Sequence, residues 1–75
     1  MAVIAYIMLL TTVGKEHEIA EEIEGYEHVT EAKVVYGSWD VVVRASLEDL
    51  SQLDGLVTSI RKLEGVDQTS TLVTS

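Results

Sequence analysis

The residues best suited to chemistry lie in one short turn, Tyr36-Gly37-Ser38-Trp39-Asp40, between two runs of β-branched residues. A turn can aim successive backbone N–H groups at one point, so the amides of Gly37 and Ser38 could face a small anion. Asp40 or neighbouring carbonyls could take an ammonium group, and Trp39 could wall an apolar side chain. Together these groups suit an α-amino acid zwitterion. The plainer alternative is that Gly37 makes the turn, Trp39 packs on a neighbour and Asp40 caps local amides. A second polar cluster, Thr69-Ser70-Thr71, alternates hydroxyls across a strand. Alone these are strand formers on a half-exposed face. They become part of a site only where a neighbouring subunit brings the turn beside them.

Other chemistry finds little support. His17 stands four residues before Glu21, the spacing of a solvated helix pair, and His28 falls at a helix-to-strand turn. Neither has a nucleophile with an orienting acid nearby, and no phosphate loop or metal-ligand spacing occurs. The expectation is therefore no catalytic residue, no metal and no cofactor. The absence of Cys removes disulfides and thiolate sites and fits a reducing cytoplasm. Thirteen acids against five bases give a net charge of −8. Such a chain repels bare nucleic acid, whose binding rests on phosphate neutralisation by Lys and Arg, and is equally unsuited to an anionic membrane surface. The longest apolar run, Ala2 to Leu10, is about half the length of a spanning helix and lacks the flanks of a signal peptide.

These residues need a scaffold, and 75 residues make one small domain, 1–75. A chain of this size buries only roughly 60–65% of the surface its unfolded form exposes. With no disulfide or metal to add stability, oligomerisation is the device left.

Ala2 to Leu10 reads as a first strand that is apolar on both sides: Val3, Ile7 and Leu9 one way, Ile4, Tyr6, Met8 and Leu10 the other. A helix follows from Lys15 to about Gly25, with Ile19, Ala20, Ile23 and Tyr26 on one stripe and Gly25 as a left-handed cap. Val29 to Tyr36 is the second strand, edge-like because of Glu31 and Lys33, and Trp39 to Ala45 the third. Ser46-Leu47-Glu48-Asp49 matches a capping box and opens the second helix, with Leu50, Leu53, Val57, Ile60 and Leu63 on its apolar side. Gly55 inside that helix costs about 1 kcal/mol relative to Ala, with close packing as its only evident justification. Val66 to Val73 is the last strand.

The order β-α-β-β-α-β, in two halves of roughly 2–36 and 39–74, gives the split βαβ, ferredoxin-like α+β arrangement when both crossovers are right-handed. Two helices then cover one face of a four-stranded antiparallel sheet and leave the other bare. With three or four large apolar residues expected there from each central strand, the bare face exceeds what a soluble monomer exposes. A second copy packed sheet to sheet through Ile4, Tyr6, Met8 and Leu10 would cover it.

Val35-Tyr36-Gly37-Ser38-Trp39-Asp40-Val41-Val42-Val43 and Leu63-Glu64-Gly65-Val66-Asp67-Gln68-Thr69-Ser70-Thr71-Leu72-Val73, in βαββαβ order, resemble the effector-binding (RAM) module of the Lrp/AsnC, or feast/famine, transcriptional regulators. The resemblance spans essentially the whole chain. It implies a sheet-to-sheet homodimer (a dimeric α+β barrel) and dimers joined into a ring. It also implies a small amino-acid effector held between dimers, where Tyr36, Gly37, Ser38, Trp39 and Asp40 of one meet Thr69, Ser70 and Thr71 of another. Trp39 departs from the family's usual Tyr or Phe. The regulators' helix-turn-helix has no counterpart in these residues, so the expectation is a stand-alone, cytoplasmic module. It would act by co-assembly with a full-length regulator and not by contacting DNA. Two alternatives remain beside this: a small dimeric α+β barrel enzyme, disfavoured by the aliphatic and hydroxyl content of the strands, and a ligand-free structural assembly protein.

Overall fold

The computed structural model describes residues 2–75, ordered as β1 (Val3–Thr11), α1 (Glu16–Glu24), β2 (Val29–Val34), β3 (Val41–Leu47), α2 (Ser51–Arg61) and β4 (Val66–Val73). The expected βαββαβ order is the order found. The strands form one antiparallel sheet, β2-β3-β1-β4, so the doubly apolar β1 and the Val-rich β3 occupy its centre. Alternation then decides the layers. Ala5, Ile7 and Leu9 of β1 and Val41, Val43, Ala45 and Leu47 of β3 lie buried in one core with Ile19 and Ile23 of α1 and Leu56 and Ile60 of α2. Both helices thus cover the same face. Each fully buried Val, Leu or Ile there contributes about 1.5–3 kcal/mol.

The opposite face differs from expectation. β1 contributes Ile4, Tyr6, Met8 and Leu10, all half-buried, but the residues of β3 paired with them are Val42, Arg44 and Ser46. Only one of those three is apolar, because the branched residues Val41 and Val43 are taken by the helix-facing row. On β2 the open face carries Lys33 opposite Val42 and Glu31 opposite Arg44. The result is an apolar band along β1 with a polar flank that includes two cations, rather than a uniformly apolar sheet.

Several boundaries also move. The turn between β2 and β3 is a longer loop, 35–40, because the ladder closes where the Val35 amide donates to the Asp40 carbonyl at 2.9 Å. Ser46 does not cap α2: it pairs with Ile4 inside β3, and Leu47 is needed to complete the buried row at 1% exposure. The helix starts at Ser51 instead. The Asp49 carboxylate accepts from the Ser51 amide at 2.9 Å and from its hydroxyl, and Gln52 Oε1 accepts from the Glu48 amide at 2.7 Å. The Ser51 hydrogen bonds hold the Asp49 carboxyl below its usual pKa. Along α2 the burial shifts to Leu56 and Ile60, with Leu53, Val57 and Leu63 at the margin and Leu50 exposed.

Gly25 is not a left-handed cap, with φ of −85°. The left-handed residue of the α1–β2 turn is His28, at φ 75°, whose carbonyl accepts from the Ser46 amide at 2.9 Å. Nor is Gly55 explained by close packing, since a Cβ built on it meets nothing within 4 Å.

Candidate functional site

Loop 35–40 is anchored at its base and bare at its tip. Asp40 is held three ways: its amide donates to the Leu9 carbonyl at 2.8 Å, its carbonyl accepts from Val35, and its Oδ2 accepts from the Thr11 amide at 2.9 Å. The last bond falls where β1 breaks register against β4, between Leu10 and Thr11. The Thr11 amide faces the β3 side beyond the last β1–β3 pair, Leu9 with Val41, so no strand carbonyl uses it and a carboxylate suits that place. Asp40 therefore fastens the loop to the end of β1 and does not cap amides of the loop itself. One oxygen, Oδ1, retains free acceptor capacity.

Beyond that base the loop stands clear. Tyr36 is 99% exposed, Gly37 and Ser38 are exposed, and Trp39 is half-buried. Gly37 adopts φ 128°, a conformation that side chains disfavour, and an added Cβ would meet nothing. Val13, in the neighbouring β1–α1 turn, is 92% exposed. The Gly37 and Ser38 amides and the Tyr36 ring thus project from the subunit without a partner among the described residues.

The three hydroxyls of β4 do not act as one row. Thr69 pairs with Leu9 and Thr71 with Ile7, which sets both on the helix side, whereas Ser70 pairs with Met8 on the open face. Within one subunit the loop and this strand lie at the same end of the sheet but on opposite sides of β1. Two strand spacings, about 10 Å, separate them. A site using both needs a second chain.

Arg61, in the last turn of α2, is a residue that no motif in the sequence marks. It lines a depression of about 390 Å³ with Val66, Asp67, Gln68 and Thr69, and makes no ion pair among the described residues. It brings to the depression what the loop lacks, a positive charge, in a lining shared with the Thr69 hydroxyl and the Asp67 carboxylate. Spacing could not reveal this, because Arg61 and Thr69 come to line one depression only once α2 packs alongside β4.

A larger groove of about 710 Å³ lies between the α1–β2 turn and α2. Among the described residues no group of His, Asp and Glu is placed to hold a metal ion, and no helix is long and apolar enough to cross a membrane.

The Lrp/AsnC ligand binding domain matches residues 4–75 of the chain. The HTH-type transcriptional regulator FL11 of Pyrococcus furiosus is 25% identical over 71 residues, covering 95% of this chain and 47% of that protein. The chain spans about half the length of the curated relatives it matches. Among solved structures, the hypothetical protein PHS023 from Pyrococcus horikoshii superposes with a TM-score of 0.91 at 38% identity, over 97% of this chain and 89% of that one. TTHA0845 from Thermus thermophilus does so with a TM-score of 0.93 at 31% identity, over 97% and 92%.

Proposed function

The chain belongs to the Lrp/AsnC ligand-binding domain family, whose modules oligomerise and bind small effectors, and from that premise we propose that it is an amino-acid-binding assembly module of transcriptional control. Two subunits pair through the open sheet face, with Ile4, Tyr6, Met8 and Leu10 at the centre. Dimers then meet end to end, so that loop 36–40 of one approaches β4 of the next, and the effector is enclosed between them. Output to DNA passes through a full-length regulator in the same assembly, in keeping with the helix-turn-helix name of the FL11 relatives.

The observation that carries this reading is the contrast within loop 35–40: three backbone and side-chain hydrogen bonds at Asp40 fix its base, yet Tyr36 at its tip touches nothing. A rigid loop with bare amides is a half-site. The other half has complementary chemistry. An effector carboxylate meets Arg61 and the Thr69 hydroxyl, with the Gly37 and Ser38 amides as further donors, and the ammonium meets Asp40 Oδ1. Trp39 bounds the side chain and limits its size. A subunit of charge −8 does not attract a carboxylate at long range, so these local donors must hold it.

Calorimetry against the twenty amino acids tests the proposal. At least one should bind below about millimolar. Arg61→Met and Thr69→Val should each weaken it by about ten- to a hundredfold, the loss of one charge-assisted hydrogen bond. No binding in that range, or unchanged affinity in both variants, overturns the site.

A further inference from the structure

We propose that the groove between the α1–β2 turn and α2 is a second ligand site, shaped for a small organic cation: a primary amine carried on an apolar body. It is separate from the inter-dimer site and stands without it. Gly55 is the first reason. It sits in the middle of α2, where glycine weakens a helix. Neither packing nor backbone geometry calls for it, since a Cβ there meets nothing within 4 Å and the residue has no positive φ. What the missing side chain does is leave the wall of the groove open. The volume, about 710 Å³, lies in the range of small-molecule sites.

The lining sets the charge of the occupant. Tyr26, Leu56 and Gly55 offer an apolar floor and one aromatic ring, and Glu27 brings a carboxylate, while neither Lys nor Arg lines the groove. Burial, and after it the charge of Glu22, raise the pKa of the Tyr26 hydroxyl, while Glu22 itself does not line the groove. An ammonium group gains from Glu27, from the aromatic ring of Tyr26 and from the overall field of a chain at −8. A carboxylate ligand meets the reverse.

The site is also preformed and unspent. The α1–β2 turn is tied down by the Tyr26 amide to the Ile23 carbonyl at 2.9 Å and by the Ser46 amide to the His28 carbonyl at 2.9 Å. The side chains of Tyr26, Glu27 and His28 enter no hydrogen bond or ion pair among the described residues.

Phenethylamine and phenylacetate, alike in size and opposite in charge, test the proposal by NMR or calorimetric titration of the whole chain. Phenethylamine should saturate and bind at least about tenfold more tightly than phenylacetate. Gly55→Leu, which fills the groove, should weaken it by about tenfold or more, and Glu27→Gln by about threefold with a flatter salt dependence. Gly55→Ala should melt higher than the parent and bind more weakly, which keeps the test decisive if the leucine variant fails to fold. Trp39→Ala, in the hairpin loop, should bind the amine as the parent does. The proposal falls if phenethylamine does not saturate by about 20 mM, if the two probes bind equally, or if both Gly55 variants bind like the parent. It also falls if Trp39→Ala abolishes binding, or if Gly55→Leu alone changes the oligomer mass, since the groove would then be covered by a second copy.

Discussion

Met8→Glu is the most direct challenge to the sheet-to-sheet dimer proposed above. Met8 is the midpoint of the open face, with Val42 beside it on β3 and Ser70 beside it on β4. In an isolated subunit its side chain is partly exposed, so a carboxylate there reaches water and the fold survives. In a two-fold dimer the same position is buried twice, once from each subunit. At most about a third of each Met8 is open in the isolated subunit, so losing the two apolar contacts costs about 1–2 kcal/mol together, and burying two unpaired carboxylates adds several kcal/mol more. The dimer dissociation constant should therefore rise by at least about a hundredfold, most of it from the buried charges. Sedimentation velocity across a micromolar concentration series reads this, with far-ultraviolet circular dichroism to establish that the monomer is folded. Val13→Glu is the matched control: Val13 is 92% exposed in the β1–α1 turn, off the sheet face, so the same charge change should leave the dimer intact. A Met8→Glu protein that sediments as a dimer like its parent, or a parent that is a folded monomer at micromolar concentration, refutes the reasoning.

The remaining expectations concern anchoring, capping and nucleic acid. Asp40→Ala strands the Thr11 amide and should cost about 1.5–3 kcal/mol in urea unfolding, whereas Asp40→Asn, which keeps an acceptor, should cost less. Ser46→Ala should change stability by less than about 0.5 kcal/mol because Ser46 sits on the exposed side of β3, while Leu47→Ala should cost about 2–5 kcal/mol; the reverse ranking in denaturant melts would restore Ser46 as a helix cap. Asp49, whose folded pKa is depressed by the Ser51 hydrogen bonds, stabilises α2 above its unfolded pKa. That contribution should fade as pH falls through the folded value and be absent in Asp49→Asn, compared as acid melts of the two proteins. The chain alone should give no salt-sensitive band shift with duplex DNA, given its charge of −8; a complex that weakens steeply with added salt would contradict this.

What the sequence determined by itself is what local pattern can carry. Nine residues of apolar strand, a helical stripe at Ile19, Ala20 and Ile23, and Val66 to Val73 give the element order, and the bounds of β4 match the expected ones. The loop around Gly37 and the excess of apolar surface on β1 were legible for the same reason: each depends on residues close in the chain. Tertiary structure decided what depends on a partner far along it. Whether Val42 or Val43 faces the helices is a matter of register against β1, and that choice turned an expected apolar sheet face into one flanked by Arg44 and Lys33. Ser46 matched a capping box, yet the demand of the core for Leu47 extended the strand through it. Asp40 found its partner 29 residues away at Thr11, whose amide lies beyond the last pair of β1 with β3. Arg61 came to line one depression with Thr69, and Gly55 a groove with Tyr26, only after α2 was laid across the sheet and beside the α1–β2 turn. Periodicity tells a chain which residues share a side; only packing tells it which side is inside.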